Sequence, residues 1–328
     1  MPARNKPPVK IGLFSVLTAT ALLAGCAVGP DYLRPDSTLP DQYSQAEAQP
    51  AARAEAPVNP EWWTLFGDAS LNALVAQALD ANQDLQAAIA RLEAADAYAR
   101  EINSAYYPTV NLDAASSRLG TSGTTYNGQK MGGAVYNNRR AALSLSYEID
   151  LWGRIRRMNE AAGADALASR FASDSVRLSL IGQVASEYLI LRSHDAEVAV
   201  SQETVTSRQE TLRIVKARLD AGSASALELA QAENSLAAAQ SQLSQLKRLR
   251  GLSESQIGLL TGQPGLQIPV NLTPLPLPPV PPPGLPSNLL AARPDVRQAE
   301  EKLIAANARI GVAKAAYFPA ISLTGNYG

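Results

Sequence analysis

The sequence predicts a mixed α and β membrane protein, in which a long α-helical coiled-coil hairpin accompanies amphipathic strands suited to a transmembrane β-barrel. Three observations carry this prediction. The chain opens on a secretory signal that ends in cysteine. The stretch ALSLSYEIDLW at 142–152 alternates apolar and polar residues without a break. Residues 154–219 contain no proline and, apart from Gly163 and Gly182, no glycine, and branched apolar residues recur there at every seventh place.

Composition narrows the function classes. Over 328 residues the net charge is −1, which argues against an electrostatic nucleic-acid binder. Aromatics are few and alanine is abundant, favouring long helices with small contacts over a bulky core. His194 is the single histidine and falls within the long helical stretch, where an exposed polar position is its expected role. Glu148 and Asp150 share a strand face, but a polar wall explains them without acid–base chemistry. No phosphate-binding glycine loop, zinc spacing or nucleophile elbow appears, so no enzyme and no cofactor are expected.

Residues 1–25 read as a signal peptide: Arg4, Lys6 and Lys10 precede the apolar run IGLFSVLTATALLAGC. A Leu-Ala-Gly before Cys26 is the pattern that lipoprotein processing reads, making Cys26 the acylated first residue of the mature chain. It is the only cysteine and has no disulfide partner. Residues 26–60, rich in Pro, Ala and Gln, are expected to form a lipidated extended tether. Nothing later approaches the roughly 20 apolar residues of a spanning helix, so crossing a membrane falls to strands.

A first structural repeat is assigned to 61–262. Helical spacing covers Asp68–Leu79 and Leu85–Ile102, with a break and new cap at Asn82-Gln83-Asp84. A β-hairpin follows over 105–152, its connection at 120–138 rich in Gly, Ser, Thr and Asn. In its second strand Leu143, Leu145, Tyr147, Ile149 and Leu151 occupy one face, and Ser144, Ser146, Glu148 and Asp150 the other. The first set would face lipid and the second a polar lumen. A soluble hairpin over a core would use the same alternation, and the secretory signal favours the membrane.

The long helical hairpin spans 154–261. Val184, Leu191, Val198, Val205, Leu212 and Leu219 mark one heptad seam; Leu229, Leu236, Leu243 and Ile257 mark the returning one. Between them DAGSASALE at 220–228 breaks the pattern, with Gly222 suited to a left-handed helix end and Ser223 or Ser225 to a new cap. A short connection makes the pair antiparallel and puts Gly222 at the tip. Residues 263–292 are proline-rich and read as a semi-rigid strap rather than a peptide ligand.

Residues 293–328 begin a second repeat. NSAYYPTVNL at 103–112 returns as KAAYFPAISL at 314–323, and the same shift of 211 places sets Asp84 on Asp295, Ala94 on Ala305 and Ala97 on Ala308. The second copy is followed by only five residues, so the chain is expected to be a fragment of a longer one. One hairpin and an opening third strand cannot close a barrel, and open edges are costly in lipid, so other chains are expected to complete it as a symmetric ring.

The blocks GCAVGPDYLRP (25–35), WWTLFGD (62–68), LSYEIDLWGRIRR (145–157), RLDAGSASALELAQAE (218–233) and RPDVRQAEEKLIAANARIGVAKAAYFPAISL (293–323) together resemble the outer membrane efflux proteins of the TolC type, particularly the NodT-like lipoprotein branch. Ala27, rather than an aspartate, after Cys26 is similar to Gram-negative lipoproteins sorted to the outer membrane. The resemblance implies a homotrimeric channel with a twelve-stranded barrel in outer membrane lipid and a periplasmic helical barrel. It also implies coupling through a periplasmic adaptor, a membrane fusion protein, to an inner-membrane efflux pump. It places Arg218, Gly222, Ser223, Ser225 and Leu227 at the adaptor contact, and puts the gate in the part that would follow Gly328. The competing reading is a periplasmic coiled-coil adaptor or scaffold lipoprotein without a pore.

Overall fold

The computed structural model describes residues 27–35, 61–121, 123, 133–274 and 292–328. The predicted signal peptide, Cys26 and most of the proline-rich strap lie outside them. Among the described residues, after a short 3-10 turn at Trp62–Phe66, the helices are α1 (Ala69–Ala81), α2 (Gln83–Asn103), α3 (Arg154–Asp220), α4 (Ala226–Leu260) and α5 (Pro294–Ala315). The strands are β1 (Thr109–Gly120), β2 (Val135–Ile149) and β3 (Ile321–Tyr327). With 67 residues, α3 is about 100 Å long at ~1.5 Å per residue.

The described residues form two compact units, each drawn from separate stretches of the chain. Among the described residues, one unit joins those within 27–35, 92–169 and 298–328, and the other those within 61–91 and 170–297. The strand-bearing unit therefore contains the helix-to-strand passage of both repeat copies.

The second unit has a conventional apolar core. Leu71, Val75, Leu85, Val184, Leu191 and Ile257 are fully or almost fully buried there, with Trp63 and Tyr188. Asp68 begins α1 by accepting from the N–H groups of Ser70 and Leu71 at 2.8 and 3.2 Å. At the next break Asn82 acts in both directions. Its Oδ1 accepts from Leu85 N at 3.0 Å, starting α2, and its Nδ2 donates to Leu260 O at 3.0 Å, closing off α4. Along α3 the predicted heptad seam is sealed at Val184, Leu191 and Val205, while Val198, Leu212 and Leu219 are half-buried.

In the strand-bearing unit the helices meet through small residues. Ala161, Ala164, Ala168, Ala305, Ala308 and Ala315 are buried, with Ile155 the largest apolar side chain among them. Residues 27–35, the described part of the expected tether, have no helix or strand and are docked on the strand-bearing unit. Val28 N donates to Trp152 O at 3.0 Å, Asn307 donates to Pro30 O at 2.9 Å, and Arg157 pairs with Asp31 at 2.6 Å. The aperiodic composition concealed this, since two of these bonds use backbone groups that no side-chain pattern reports.

Candidate functional site

The three strands form one antiparallel sheet in the order β1-β2-β3. Its register aligns the alternation of all three. Leu112 pairs with Leu143, Val110 with Leu145, Tyr147 with Leu323 and Ile149 with Ile321. On the opposite face Asn111 pairs with Ser144, Thr109 with Ser146, and Glu148 with Ser322. A one-residue slip would exchange the faces, so the pairing and the pattern fix each other.

Among the described residues the apolar face is largely uncovered: Leu112 is 75%, Leu323 57%, Leu143 44% and Ile149 40% exposed, with Leu145 and Tyr147 half-buried. A soluble hairpin over a core would bury these positions. From Ala141 to Ile149 the apolar stretch is nine residues, within the span of a tilted transmembrane strand, about 9–11 residues.

Two of the predicted face residues lie elsewhere. β2 ends at Ile149, so Leu151 and Asp150 fall in the passage to α3 rather than on the strand. The physical reason is a cap. Asp150 accepts from the backbone N–H of Ile155 and Arg156 at 3.1 and 2.9 Å, satisfying donors in the first turn of α3, and pairs with the Arg156 side chain. Its neighbour on the polar face, Glu148, takes a two-pronged contact from Arg154, at 2.9 and 2.6 Å. Both carboxylates are thus tied to the helix start, and of the four predicted polar-face residues Ser144 and Ser146 have no such bond among the described residues.

Aromatic residues ring this passage. Trp152 stacks on Phe318 with ring centroids 4.5 Å apart, and its Nε1 donates to Pro319 O at 3.0 Å. The repeated Tyr-aromatic-Pro phrases sit where each helix gives way to a strand, and Tyr107 and Tyr317 are exposed. Ala27, the residue after Cys26, lies against the left-handed Gly153, whose φ is 78°. A Cβ on Gly153 would come within 2.9 Å of the Ala27 Cα.

In the other unit the hairpin tip is built almost wholly from local bonds. α3 closes with Ser223 N donating to Arg218 O and Gly222 N to Leu219 O, both at 2.8 Å, with Gly222 left-handed at φ 72°. Ser223 Oγ donates to Arg218 O at 3.0 Å, and Arg218 Nη2 donates to Ser223 O at 3.1 Å. Ser225, not Ser223, caps α4, accepting from Glu228 N at 3.2 Å. Leu227 is 67% exposed.

Sequence reasoning missed two buried polar clusters behind this tip unit. Arg192 donates to Asp68 at 2.8 Å and to Asn271 O at 2.9 Å, and the Tyr188 hydroxyl donates to Asp68 at 2.7 Å. Burial pushes the Asp68 carboxyl up, but the Tyr188 hydroxyl, the Leu71 and Ser70 N–H groups and Arg192 outweigh it and hold it below the usual carboxylate range. The second cluster joins Arg250 to Asp195 at 2.6 Å and to Ile268 O at 2.6 Å. Partners 124 and 55 residues apart leave no local signal. Among the described residues no helix is long and apolar enough to cross a membrane, and no group of three or more His, Cys, Asp or Glu could hold a metal.

Comparison with known proteins gives this arrangement a context. The chain is 32% identical over 323 residues to the toluene efflux pump outer membrane protein TtgF of Pseudomonas putida, covering 94% of this chain and 65% of that one. It is 32% identical over 321 residues to the cation efflux system protein CusC of Escherichia coli, covering 97% and 67%. Its fold matches the open state of the MtrE outer membrane channel of Neisseria gonorrhoeae with a TM-score of 0.75 at 30% identity, over 92% of this chain and 66% of that one. The chain therefore spans about two thirds of the length of the relatives it matches; TtgF is named as an outer membrane protein and MtrE as an outer membrane channel, and none of the three as an adaptor. The family pattern itself covers residues 74–263 and 285–328, and with the shared fold it establishes that the chain belongs to the outer membrane efflux proteins.

Proposed function

We propose that the chain is the subunit of an outer membrane channel that passes small molecules from the periplasm to the exterior, working with a periplasmic adaptor and an inner-membrane pump. The observation that carries this is the sheet, apolar and largely exposed on one face and polar on the other, in which, among the described residues, β1 and β3 each leave one edge unpaired. Such a sheet is stable in a bilayer only when neighbouring strands complete it and acyl chains cover its apolar side. Leu143, Leu145, Tyr147 and Ile149 face lipid, with Leu151 at the level of the inner headgroups. Ser144, Ser146 and Glu148 line the lumen, with Asp150 at its inner mouth. A homotrimer supplies the missing edges.

The aromatic passage supports an interface at the strand ends, where Trp and Tyr accumulate in membrane proteins. It also supports the anchor. Ala27 lies beside Gly153 in that passage, so acyl chains on Cys26 would enter the bilayer at the level where β2 ends and α3 begins. The tip residues Arg218, Gly222, Ser223, Ser225 and Leu227 are the adaptor contact, a role supported by their rigid, locally bonded and exposed arrangement. Equal identity to proteins named for toluene and for cations supports a duct that leaves choice of cargo to its pump.

A depth series tests the central claim. Leu145 sits mid-band and Ile149 at its inner end. Lysine at the midplane costs about 2–4 kcal/mol and near the interface about 0–1 kcal/mol. Leu145→Lys should therefore abolish most stable insertion, measured as carbonate-resistant protein in membranes, while Ile149→Lys should retain most of it. Equal tolerance of both would remove the lipid-facing band and the channel reading with it.

A further inference from the structure

The hairpin's outer half has an unusual charge distribution. From Ala114 to Tyr147 the sequence contains Arg118, Lys130, Arg139 and Arg140 and no aspartate or glutamate. The register locates two of these with respect to the apolar band. Arg118 pairs with Asn137 and Ser116 with Arg139, so Arg118 and Arg139 are diagonal neighbours on the face that carries Leu112 and Leu143. Diagonal Cβ atoms are about 7–8 Å apart. Arg140, opposite Ala115, is on the other face.

The apolar band ends at the Ala114–Ala141 pair, and Arg139 follows two residues later, about 7 Å along the strand. Both arginines are exposed, and among the described residues neither has a hydrogen-bonding or ionic partner. The connecting residues 121–134 contain no acid that could supply one. At the inner end of the same sheet the situation is reversed: Glu148 and Asp150 are already paired with Arg154 and Arg156. The uncompensated positive charge of the sheet is therefore concentrated at its hairpin end, the end away from the helices.

Two neighbouring guanidinium groups repel each other unless an anion lies between them, and a phosphate accepts paired N–H bonds from each. We propose that Arg118 and Arg139 bind the phosphate groups of lipid headgroups in the outer leaflet. This rests on the membrane reading above. Their position in line with the lipid-facing band, one step past its end, selects a headgroup over a dissolved anion. The contact would also fix the height of the hairpin in the bilayer.

The test uses the full chain in phosphatidylcholine vesicles containing bisphosphorylated lipid A, with retained lipid counted by native mass spectrometry. The wild-type protein should retain lipid A. R118Q/R139Q should retain about tenfold less, the loss of roughly 1.4 kcal/mol, while remaining carbonate-resistant. R140Q, on the opposite face, should match the wild type. Equal retention by R118Q/R139Q, retention of dephosphorylated lipid A to the same extent, or displacement by inorganic phosphate at equal concentration would each overturn the proposal. If the wild-type chain were itself extracted by carbonate, the membrane reading would fail first, and that result is distinguishable from the other three.

Discussion

The two copies of the repeat hold the same residues in different surroundings. α2 begins at Gln83 and α5 at Pro294, equivalent positions 211 residues apart, and both run into a Tyr-aromatic-Pro phrase and a strand. Yet Ala305 and Ala308 are fully buried, whereas their counterparts Ala94 and Ala97 are exposed. The neighbours account for the contrast. α5 receives the start of α3 and residues 28–30 through Arg309–Asp165, Asn307–Pro30 and the close approach of Gly311 to Arg157 and Val28. Propensity and pattern make the helix in both copies; burial of the alanine pair depends on a partner that, among the described residues, only the second copy meets.

The largest effect should come from making the second copy resemble the first. Arg100 occupies the position equivalent to Gly311. A Cβ at Gly311 would already lie 2.8 Å from Arg157 Cγ and 2.9 Å from Val28 O. Gly311→Arg should therefore cost about 3 kcal/mol or more and release residues 27–35, read as a lower urea midpoint and new proteolysis near Asp31. An unchanged midpoint would mean that the docked segment contributes nothing to stability.

A paired substitution comes next. Ala308→Leu should destabilise the detergent-solubilised chain by about 1–3 kcal/mol, and Ala97→Leu by less than about 0.5 kcal/mol. If both behaved alike, the asymmetry between the copies would be broken. If Ala97→Leu became costly only after assembly into oligomers, the comparison would be sharpened, because the missing partner of α2 would then be another helix of the assembly. Arg100→Gly should lose only helix propensity, about 1 kcal/mol by the same denaturation measurement, well short of the cost of Gly311→Arg.

How much of this was legible in the sequence follows from the range of the interactions. The turn at Gly222 and the break at Asn82 could be read because their bonds span five residues or fewer, apart from the Asn82 contact to Leu260. The faces of β2 could be read because alternation reports them directly, and the register agrees from Leu143 to Ile149. The strand's end could not be read, since Asp150 continues the alternation while its carboxylate is engaged by backbone N–H groups of α3. The docking of residues 27–35 and the Asp68–Arg192 pair depend on contacts across more than a hundred residues, where periodicity is silent. The heptads named the face of α3 correctly but not how deeply each position is covered, which ranges from fully buried Leu191 to half-buried Leu219.

The two arginine clusters have a consequence for how the chain after α4 can evolve. Arg192 reaches Asn271 O and Thr273 O, Arg250 reaches Ile268 O, and Asp195 accepts from Asn271 N. Every one of these grips is on the main chain of the segment. Side chains at Val270 and Leu272, both exposed, take no part in it. Residues there are free to drift in identity, provided the backbone keeps its path, whereas the arginines and carboxylates that hold them are not. At Asn271 and Thr273 the arginine clusters grip the main chain, while Ile268 also packs its side chain against the core.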